Sequence, residues 1–395
     1  MAYRYASRMG RVKPSAIREL LKLGGDPEVI SFGGGYPDPE IFPIENLRRV
    51  FDLVLAEEGR VALQYTGTQG LPALREKLVA RMARAGVPCG LDNLYILQGS
   101  QQGLDLVAKM FLEPGDVVIT ENPTFLGALI AFNPYQPRYV TVSMDAHGMD
   151  TDELERALKA NPGAKFIYTI PDFQNPTGIT MAADRRRRLV ELAEAHDVMI
   201  LEDSPYREIR YEGEPVPPIK SFDPHGRVIQ LGSFSKILCP GMRLGWVVAE
   251  AELAANLGLL KMAADTQNST LNMHAVNRFM EMYDLDAHIE RIRAVYKAKK
   301  DLMLKTIRET FPARVKHTDP QGGLFTWLTF PGQLDAGKLM RERTLPEAKV
   351  AYVPGASFYP VVEEVNHCRV NYSFMSKEKI VLGISRLGAI LKECC

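Results

Sequence analysis

A lysine flanked by hydroxyl residues carries the strongest chemical signal in the sequence. Segment 231–246, LGSFSKILCPGMRLGW, follows a predicted buried strand and contains Lys236, with Arg243 seven residues later in a Pro-Gly turn. A nucleophilic amine beside hydroxyl and guanidinium groups that can hold a phosphate is the combination that pyridoxal phosphate needs. We predict that Lys236 forms the Schiff base and that Ser233, Ser235 and Arg243 bind the phosphate. Taken alone, the segment is equally compatible with surface side chains on a loop.

Three polar residues upstream have types suited to the ring of that cofactor. Asp203 ends a predicted strand in VMILEDSPYREI, and its charge can keep the ring nitrogen protonated, as the cofactor's chemistry requires. Tyr206, three residues later, and Asn175 in IPDFQNPTGIT can donate hydrogen bonds to the ring's phenolate oxygen. Each alone has an ordinary alternative, since a strand-end Asp often caps a helix and NPTG is a common turn.

A predicted helix start offers a second group of phosphate ligands. In YILQGSQQGLDLVAKMF, a strand is followed by Gly99, Ser100 and Gln101 and then by a helix. The free backbone N–H groups of that first turn, with the Ser100 hydroxyl, form an anion site. Phe125, in ENPTF, has an aromatic face that can stack on the pyridine ring. The alternative for Phe125 is a core aromatic.

The elements that must position these residues alternate between strand and helix. Apolar, β-branched runs predict buried strands, and amphipathic stretches between them predict helices at 101–112 and 184–196. This alternation indicates an α/β fold with a mostly parallel sheet. The predicted strands are 94–99, 117–123, 166–171, 198–203, 228–233 and 244–249.

The pattern changes near residue 285, where a long charged helix begins and runs to about residue 311. Short strands and helices follow it, as in a separate α+β unit. At the other end, a short helix at 14–23 and the glycine turn SFGGGYPDP suit an arm rather than a domain. We therefore predict an N-terminal arm (1–45) that joins the small domain, a large cofactor-binding α/β domain (46–285) and a small C-terminal α+β domain (286–395).

Composition excludes several other classes of protein. The 395 residues are 46% hydrophobic and 24% charged, as in soluble globular proteins, and contain no apolar run of about 18 residues and no secretory signal. Lys+Arg and Asp+Glu both number 48, so no global field attracts nucleic acid or anionic lipid. We interpret the arginine run 185–188 as a solvated helix turn. Five cysteines fit a reducing compartment, so we expect a cytoplasmic protein, and the seven histidines lack metal-ligand spacing.

Together these elements resemble the class I/II aminotransferases of the fold-type I pyridoxal-phosphate superfamily over essentially the whole chain. Asn175, Asp203, Tyr206, Lys236 and Arg243 follow one another at separations of 28, 3, 33 and 7 residues. The sequence looks most like the 2-aminoadipate or kynurenine type, through PSAIRELLK, SFGGGYPDP, ALQYTGTQG, GSQQGLDL, FQNPTG, LGSFSKIL and PQGGLFTW. The resemblance implies a large, mostly parallel seven-stranded sheet domain and a smaller α+β domain.

The resemblance also implies roles for particular residues. It implies a homodimer with shared active sites, in which Tyr65 reaches the neighbouring subunit's phosphate. Lys236 becomes the catalytic base, and Arg369, with the backbone of Gly35 and with Asn175 nearby, binds the substrate α-carboxylate. The phosphate ligands implied are Ser100, Gln101, Ser233, Ser235 and Arg243.

The predicted reaction moves an amino group from an L-amino acid to a 2-oxo acid, with 2-oxoglutarate as the expected acceptor. Donors considered are 2-aminoadipate, glutamate, and aromatic or aliphatic amino acids; Arg18, in the arm helix, is the candidate cation for a second carboxylate. The nearest alternative is a β-lyase or another amino-acid lyase or racemase on the same fold. A more remote one is the effector domain of a transcription regulator, which would need a DNA-binding domain before the arm.

Overall fold

The computed structural model describes residues 3–12 and 28–395. Its strands form one large sheet, one four-stranded sheet and one two-stranded pair. In chain order they are β1 (Ile30–Ser31), β2 (Leu94–Leu97), β3 (Val117–Asn122), β4 (Arg138–Asp145), β5 (Gly148–Met149), β6 (Phe166–Thr169), β7 (Met199–Asp203), β8 (Val228–Ser233), β9 (Gly245–Val248), β10 (Lys316–His317), β11 (Phe325–Thr329), β12 (Val350–Ala351), β13 (Val353–Pro354) and β14 (His367–Asn371).

The α-helices of the described residues lie mostly between strands. They are α1 (Ile44–Ala62), α2 (Pro72–Arg84), α3 (Ser100–Phe111), α4 (Leu126–Phe132), α5 (Thr151–Ala160), α6 (Ala183–Ala195), α7 (Ala251–Asp265), α8 (Thr270–Met282), α9 (Leu285–Thr310), α10 (Ala336–Leu339) and α11 (Lys377–Cys394). Short 3-10 turns occupy Ser7–Arg11, Pro39–Ile41, Leu91–Asn93, Asn133–Tyr135, Ile219–Phe222, Pro240–Met242 and Gly355–Phe358, and a π turn occupies Met340–Thr344.

The large sheet has the strand order β2-β9-β8-β7-β6-β3-β4-β5. Strands β4, β3, β6, β7 and β8 are mutually parallel, whereas β9 runs antiparallel to both of its neighbours. The sheet has eight strands rather than the seven expected, because the two-residue strand β5 folds back antiparallel on β4. The carboxyl ends of the central parallel strands therefore lie along one edge of the sheet, where α/β proteins bind ligands.

Apolar side chains cover both faces of this sheet, as expected for a parallel sheet. One buried cluster joins the sheet to α1, α2, α3, α4, α7 and α8 and to the start of α9. A second cluster packs α5 and α6 against the opposite face. The central strands are thus enclosed, and they hold the residues at their carboxyl ends in place.

A third apolar cluster lies in the C-terminal part of the chain. There the sheet β10-β11-β14-β13 packs with α11 and the end of α9. Strand β1 pairs in parallel with β12, with Ile30 opposite Val350. The segment after residue 28 therefore joins this C-terminal unit, as an arm would, while the domain limits at 45 and 285 stay predictions.

The arginine run on α6 is not the fully solvated turn that we expected. Arg186 is fully buried, and its Nη2 lies 2.8 Å from Asp172 Oδ1 and 2.8 Å from the Pro171 carbonyl oxygen. Successive helical residues project about 100° apart, so one of four consecutive arginines faces the sheet. The prediction of a solvated arginine was wrong for Arg186, which is a buried structural cation. Arg187 is exposed, as predicted.

Candidate active site

A cavity of about 260 Å³ lies at the carboxyl ends of the parallel strands. Segments that follow β6, β7 and β8 and the start of α3 form one side of it, and β11 and β14 of the C-terminal unit form the other. Its lining consists of Gly35, Gly99, Ser100, Gln101, Phe125, Ile170, Asn175, Asp203, Pro205, Tyr206, Ser233, Ser235, Lys236, Arg243, Phe325 and Arg369.

Lys236 projects into this cavity from the turn that follows β8. Its Nζ donates a hydrogen bond to the carbonyl oxygen of Gly35 at 2.8 Å. Removal of the amine from water, together with the charges of Arg369 and Arg243, lowers the pKa of Lys236 to about 8. A substantial fraction of the amine is therefore neutral, and so nucleophilic and basic, near physiological pH.

Asp203, the last residue of β7, supplies a buried carboxylate to the cavity wall. It is 1% exposed; Oδ2 accepts a hydrogen bond from the Tyr168 hydroxyl at 3.1 Å, while Oδ1 has no hydrogen-bond partner within the described chain. Burial and the neighbouring charge of Glu202 raise the pKa of Asp203 to about 7, against the opposing effect of the Tyr168 bond. An unpartnered buried oxygen of this kind suits a cationic N–H donor on a bound group.

Arg369, Asn175 and Tyr206 form a hydrogen-bonded chain on the adjoining wall. Arg369 Nη1 donates to Asn175 Oδ1 at 2.8 Å, and Asn175 Nδ2 donates to the Tyr206 hydroxyl at 3.1 Å. Arg369 Nη2 donates to the Gly33 carbonyl oxygen at 2.8 Å. Burial lowers the pKa of Arg369 to about 10, so the guanidinium remains cationic at neutral pH.

Two aromatic rings hold the Arg369 guanidinium. Its central carbon lies 4.2 Å from the ring centroid of Phe325 and 5.3 Å from that of Phe358. Cation–π contacts of this type stabilise a partly desolvated guanidinium and fix its plane. Arg369 therefore presents a rigid cation at the end of the cavity, suited to a carboxylate.

Another part of the cavity lining combines the start of α3 with the turn around Arg243. Gly99 precedes the helix with φ of 72°, and a Cβ there would lie 2.9 Å from Arg243 Nη2. The position therefore requires glycine for its backbone conformation and for the close approach. Arg243 Nη2 donates to the Gln98 carbonyl oxygen at 3.1 Å. Free N–H groups at the helix start beside a guanidinium form an anion site.

Twelve of the residues predicted from the sequence line this one cavity: Gly35, Ser100, Gln101, Phe125, Asn175, Asp203, Tyr206, Ser233, Ser235, Lys236, Arg243 and Arg369. Tyr65 does not; it is 81% exposed and borders a separate surface cavity with Gln64 and Gln267. Arg18 lies outside the described residues, as does the arm helix predicted around it.

Sequence reasoning missed three residues that support the site. Tyr168 donates to Asp203 from the neighbouring strand, Phe325 lies against both Arg369 and Tyr206, and Glu121 is buried beneath the turn that carries Asn175. Phe325 lies in PQGGLFTW, so a motif pointed to its segment. Glu121 lies in ENPTF, the segment quoted for Phe125, and Tyr168 lies in a predicted strand, but nothing local marks either residue, because their contacts come from strand pairing across the sheet.

The described residues add two negative findings. Within residues 3–12 and 28–395, none of the helices is long and apolar enough to cross a membrane. The same part of the chain contains no group of three or more His, Cys, Asp or Glu side chains placed to bind a metal ion.

A phosphate cradle, a lysine of lowered pKa and an unpartnered carboxylate fit pyridoxal phosphate in one cavity of an α/β fold. They define a pyridoxal-phosphate enzyme of fold type I. Comparison with known proteins shows that the chain belongs to the family "Aminotransferase class I and II", which it matches over residues 28–387. It is a pyridoxal-phosphate-dependent aminotransferase.

Similar proteins act on several amino acids. The chain is 44% identical to "Aromatic-amino-acid aminotransferase 1" of Thermococcus litoralis, covering 97% of this chain and 92% of that protein. It is 38% identical to "2-aminoadipate transaminase" of Thermus thermophilus, covering 97% and 95%. The structure of the kynurenine aminotransferase of Pyrococcus horikoshii superimposes with a TM-score of 0.93 at 40% identity, covering 98% of this chain and 97% of that one.

Proposed function

We propose that this aminotransferase transfers the amino group of an aromatic amino acid or of 2-aminoadipate to 2-oxoglutarate, with aliphatic amino acids as further donors and with glutamate as the donor when the acceptor is another 2-oxo acid. The observation that carries the proposal is the buried Arg369 guanidinium, which lies against Phe325 and Phe358 and lines the same cavity as the phosphate cradle. One rigid guanidinium binds one carboxylate in a bidentate pair. It leaves the substrate side chain free to vary, which agrees with the range of names among the relatives.

A dicarboxylate substrate needs a second cation for its distal carboxylate. The cations that line the described cavity are Lys236, Arg243 and Arg369, and we assign these to the amine, the phosphate and the α-carboxylate. Arg18 is our candidate for the second cation, on the basis of the sequence alone.

Lys236 is the residue that we assign to proton transfer. Bound pyridoxal phosphate supplies an electron sink for the electron pair left when the Cα proton is removed. The lowered pKa of Lys236 would allow its Nζ to accept that proton near neutral pH and to hold it for return. Gly35, whose carbonyl oxygen accepts from Nζ at 2.8 Å, orients the amine.

Asp203, Asn175 and Tyr206 orient the cofactor ring in this proposal. Asp203 Oδ1 is available to accept from the ring nitrogen, and its negative charge favours the protonated ring. The Asn175 amide and the Tyr206 hydroxyl are linked at 3.1 Å on the wall beside Arg369, where both can donate to the ring oxygen. Phe125 covers a ring face, and Ser100, Gln101, Ser233, Ser235 and Arg243 hold the phosphate.

We also propose a cytoplasmic homodimer in which Tyr65 completes the partner's phosphate site. Five large apolar side chains at the end of α1, on the loop that follows it and on α7 are more than half exposed: Val61, Leu63, Tyr65, Leu259 and Met262. Exposed apolar side chains that cluster on one surface are typical of a protein interface. Tyr65 belongs to this surface, so a second copy that covers it would meet the Tyr65 hydroxyl.

The proposal is tested by a screen of half-reactions. Each amino acid is added alone to the holoenzyme, and we expect the cofactor absorbance to change by one equivalent and stop, with turnover resuming when 2-oxoglutarate is added. Many equivalents of pyruvate or ammonia formed without an acceptor would instead indicate the lyase alternative.

Arg18→Ala should raise the KM for 2-oxoglutarate severalfold while leaving the KM for an aromatic donor unchanged. Equal effects on the two KM values would remove Arg18 from the site.

A further inference from the structure

A buried carboxylate lies beneath the active site without lining the cavity. Glu121, on β3, is 1% exposed. One of its oxygens accepts from the Thr169 hydroxyl at 2.5 Å, and the other accepts from Gln174 Nε2 at 3.1 Å and from the Ile170 backbone N–H at 3.4 Å. Burial raises the pKa of Glu121 to about 7. An apolar side chain would fill this position in the sheet without that desolvation cost, so the acid must contribute something else.

Glu121 helps to fix the side chain of Gln174, which is also fully buried. Gln174 Nε2 donates to the Pro123 carbonyl oxygen at 2.9 Å as well as to Glu121. Gln174 Oε1 accepts from the backbone N–H of Thr177 at 2.9 Å and from its hydroxyl at 2.7 Å. Both ends of the amide are therefore occupied, which braces the turn 174–177 from within.

Asn175 is the next residue in that turn and points into the cavity. Its Oδ1 accepts from Arg369 and its Nδ2 donates to Tyr206. A continuous path of hydrogen bonds and one peptide unit thus leads from Glu121 through Gln174 and Asn175 to the guanidinium. The path crosses from the large sheet to β14, which carries Arg369.

We propose that Glu121 is a positioning residue for substrate binding, which fixes Asn175 through Gln174 and thereby aims Arg369 at the substrate carboxylate. The inference rests on the proposed function, because it takes Arg369 as the carboxylate ligand. Glu121 does not touch the substrate or the cofactor, and its effect is carried by its hydrogen bonds rather than by its charge.

Two substitutions separate these contributions. In Glu121→Gln, the amide oxygen can accept from Gln174 and Ile170 while its NH2 donates to the Thr169 hydroxyl, so the bonds survive without the charge. Glu121→Leu removes all of them. We expect Glu121→Leu to raise the KM for the amino donor about tenfold, the equivalent of one hydrogen bond to a charged group. Its kcat, and both constants of Glu121→Gln, should stay within about twofold of wild type.

A double-mutant cycle with Asn175→Ala tests the path itself. If Glu121 acts through Asn175, the double variant should have the KM of Asn175→Ala alone. The matched control is Glu202→Leu, another buried carboxylate of the same sheet, whose partners are Ser204 and the backbone of Ile219 and Lys220 rather than the turn. Its effect should add to that of Asn175→Ala.

Additive effects of Glu121→Leu and Asn175→Ala, or failure of Glu121→Gln to restore KM, would overturn the inference. If Glu121→Leu does not fold, Gln174→Met tests the same path by the same cycle. The dissociation constant for pyridoxal phosphate provides a second readout, because Asn175 also faces the ring in our proposal. If the proposed function is wrong, the wild-type protein will not turn over the proposed amino donors. If only this inference is wrong, the wild-type protein will be active, and the effects of Glu121→Leu and Asn175→Ala on KM and on cofactor binding will add.

Discussion

At the level of single residues, the site places two ionisable groups in environments that disfavour their charges. Burial lowers the pKa of Lys236 to about 8 and raises that of Asp203 to about 7. Both charged forms lose water without gaining an oppositely charged partner among residues 3–12 and 28–395. A ligand with an anionic phosphate and a cationic ring nitrogen supplies what the site lacks, so the residues that bind it are costly to the fold without it.

Asp203→Asn should therefore change stability and cofactor binding in opposite directions. The folded protein holds the Asp203 proton more tightly than the unfolded chain, where the pKa is near 3.8, so its free energy of unfolding falls as the pH rises from about 4 through about 7. At pH 8 the amide avoids this penalty, and the cofactor-free variant should be more stable by up to about 4 kcal/mol. Its cofactor affinity should fall about tenfold or more. Urea unfolding measures the stability of the cofactor-free variant, and cofactor titration measures its affinity. A variant less stable than the wild type at pH 8 would contradict the assignment of a raised pKa to Asp203.

The pH dependence of cofactor capture reports the state of Lys236. Only the neutral amine reacts, so the rate of cofactor incorporation into the cofactor-free protein should rise with pH and level off above about 8. Arg369→Gln removes one of the charges that lower this pKa, and the plateau should move to higher pH. Stopped-flow absorbance over the range from pH 6 to pH 10 follows both proteins. A plateau near the ordinary lysine value of 10.5 in the wild type would be inconsistent with the site described.

At the level of elements, the glycine-rich segment before α1 connects the two halves of the site. The carbonyl oxygen of Gly33 accepts a hydrogen bond from Arg369 on β14, in the small sheet. The carbonyl oxygen of Gly35 accepts one from Lys236, which follows β8 of the large sheet. The segment is anchored at Asp38, whose carboxylate accepts from Lys299 Nζ of α9 at 2.6 Å. Asp38 N–H also donates to the Tyr296 hydroxyl at 3.0 Å. The pair is buried, so its partners are not replaced by water.

Lys299→Met should destabilise the protein far more than Lys300→Met. Loss of Lys299 leaves Asp38 buried without a cation, and breaking such a pair costs about 3–5 kcal/mol. The adjacent Lys300 is also buried, but the acids it pairs with in the described part of the chain, Glu212, Asp301 and Asp319, are exposed and keep their water when the amine is lost, so its loss should cost less. Urea unfolding of the two variants provides the comparison. Equal losses would show that the buried pair does not anchor the segment.

The sequence predicts the elements with strong patterns and misses those that depend on pairing. All six apolar runs are strands of the large sheet, with ends within two residues of the prediction. Strand β4 was not predicted, because among its side chains only Val142 is buried and the run lacks apolar continuity. Glu121 gave no signal either, since an acid within a strand has meaning only beside Thr169 and Gln174.

For the whole molecule, the exposed apolar side chains at the end of α1 and on α7 are a feature that the fold of one chain does not explain. Tyr65 is part of it and lies outside the cavity of its own chain. The sequence motif QYTGTQG pointed to Tyr65, but a single chain cannot bring it to a phosphate site. A role of Tyr65 at the phosphate site of a second copy cannot be predicted from strand patterns or from the fold of one chain.

Hybrid dimers test whether the sites are shared. Tyr65→Phe should weaken cofactor binding by about 0.5–3 kcal/mol, the range that covers hydrogen bonds to neutral and to charged groups. Mixing Tyr65→Phe subunits with Lys236→Ala subunits should give hybrids in which one site has both native residues. Cofactor titration of the purified hybrid should show one site of wild-type affinity per dimer. Only weakened sites in the hybrid would mean that Tyr65 serves its own chain or no site.

The identity of the lysine that binds the cofactor tests the central claim most directly. The holoenzyme is reduced with borohydride, digested and mapped by mass spectrometry. We expect the reduced cofactor on Lys236 alone, in the peptide that contains LGSFSK, and no label in Lys236→Ala. Label on any other lysine, or full labelling of Lys236→Ala, would contradict the site as described.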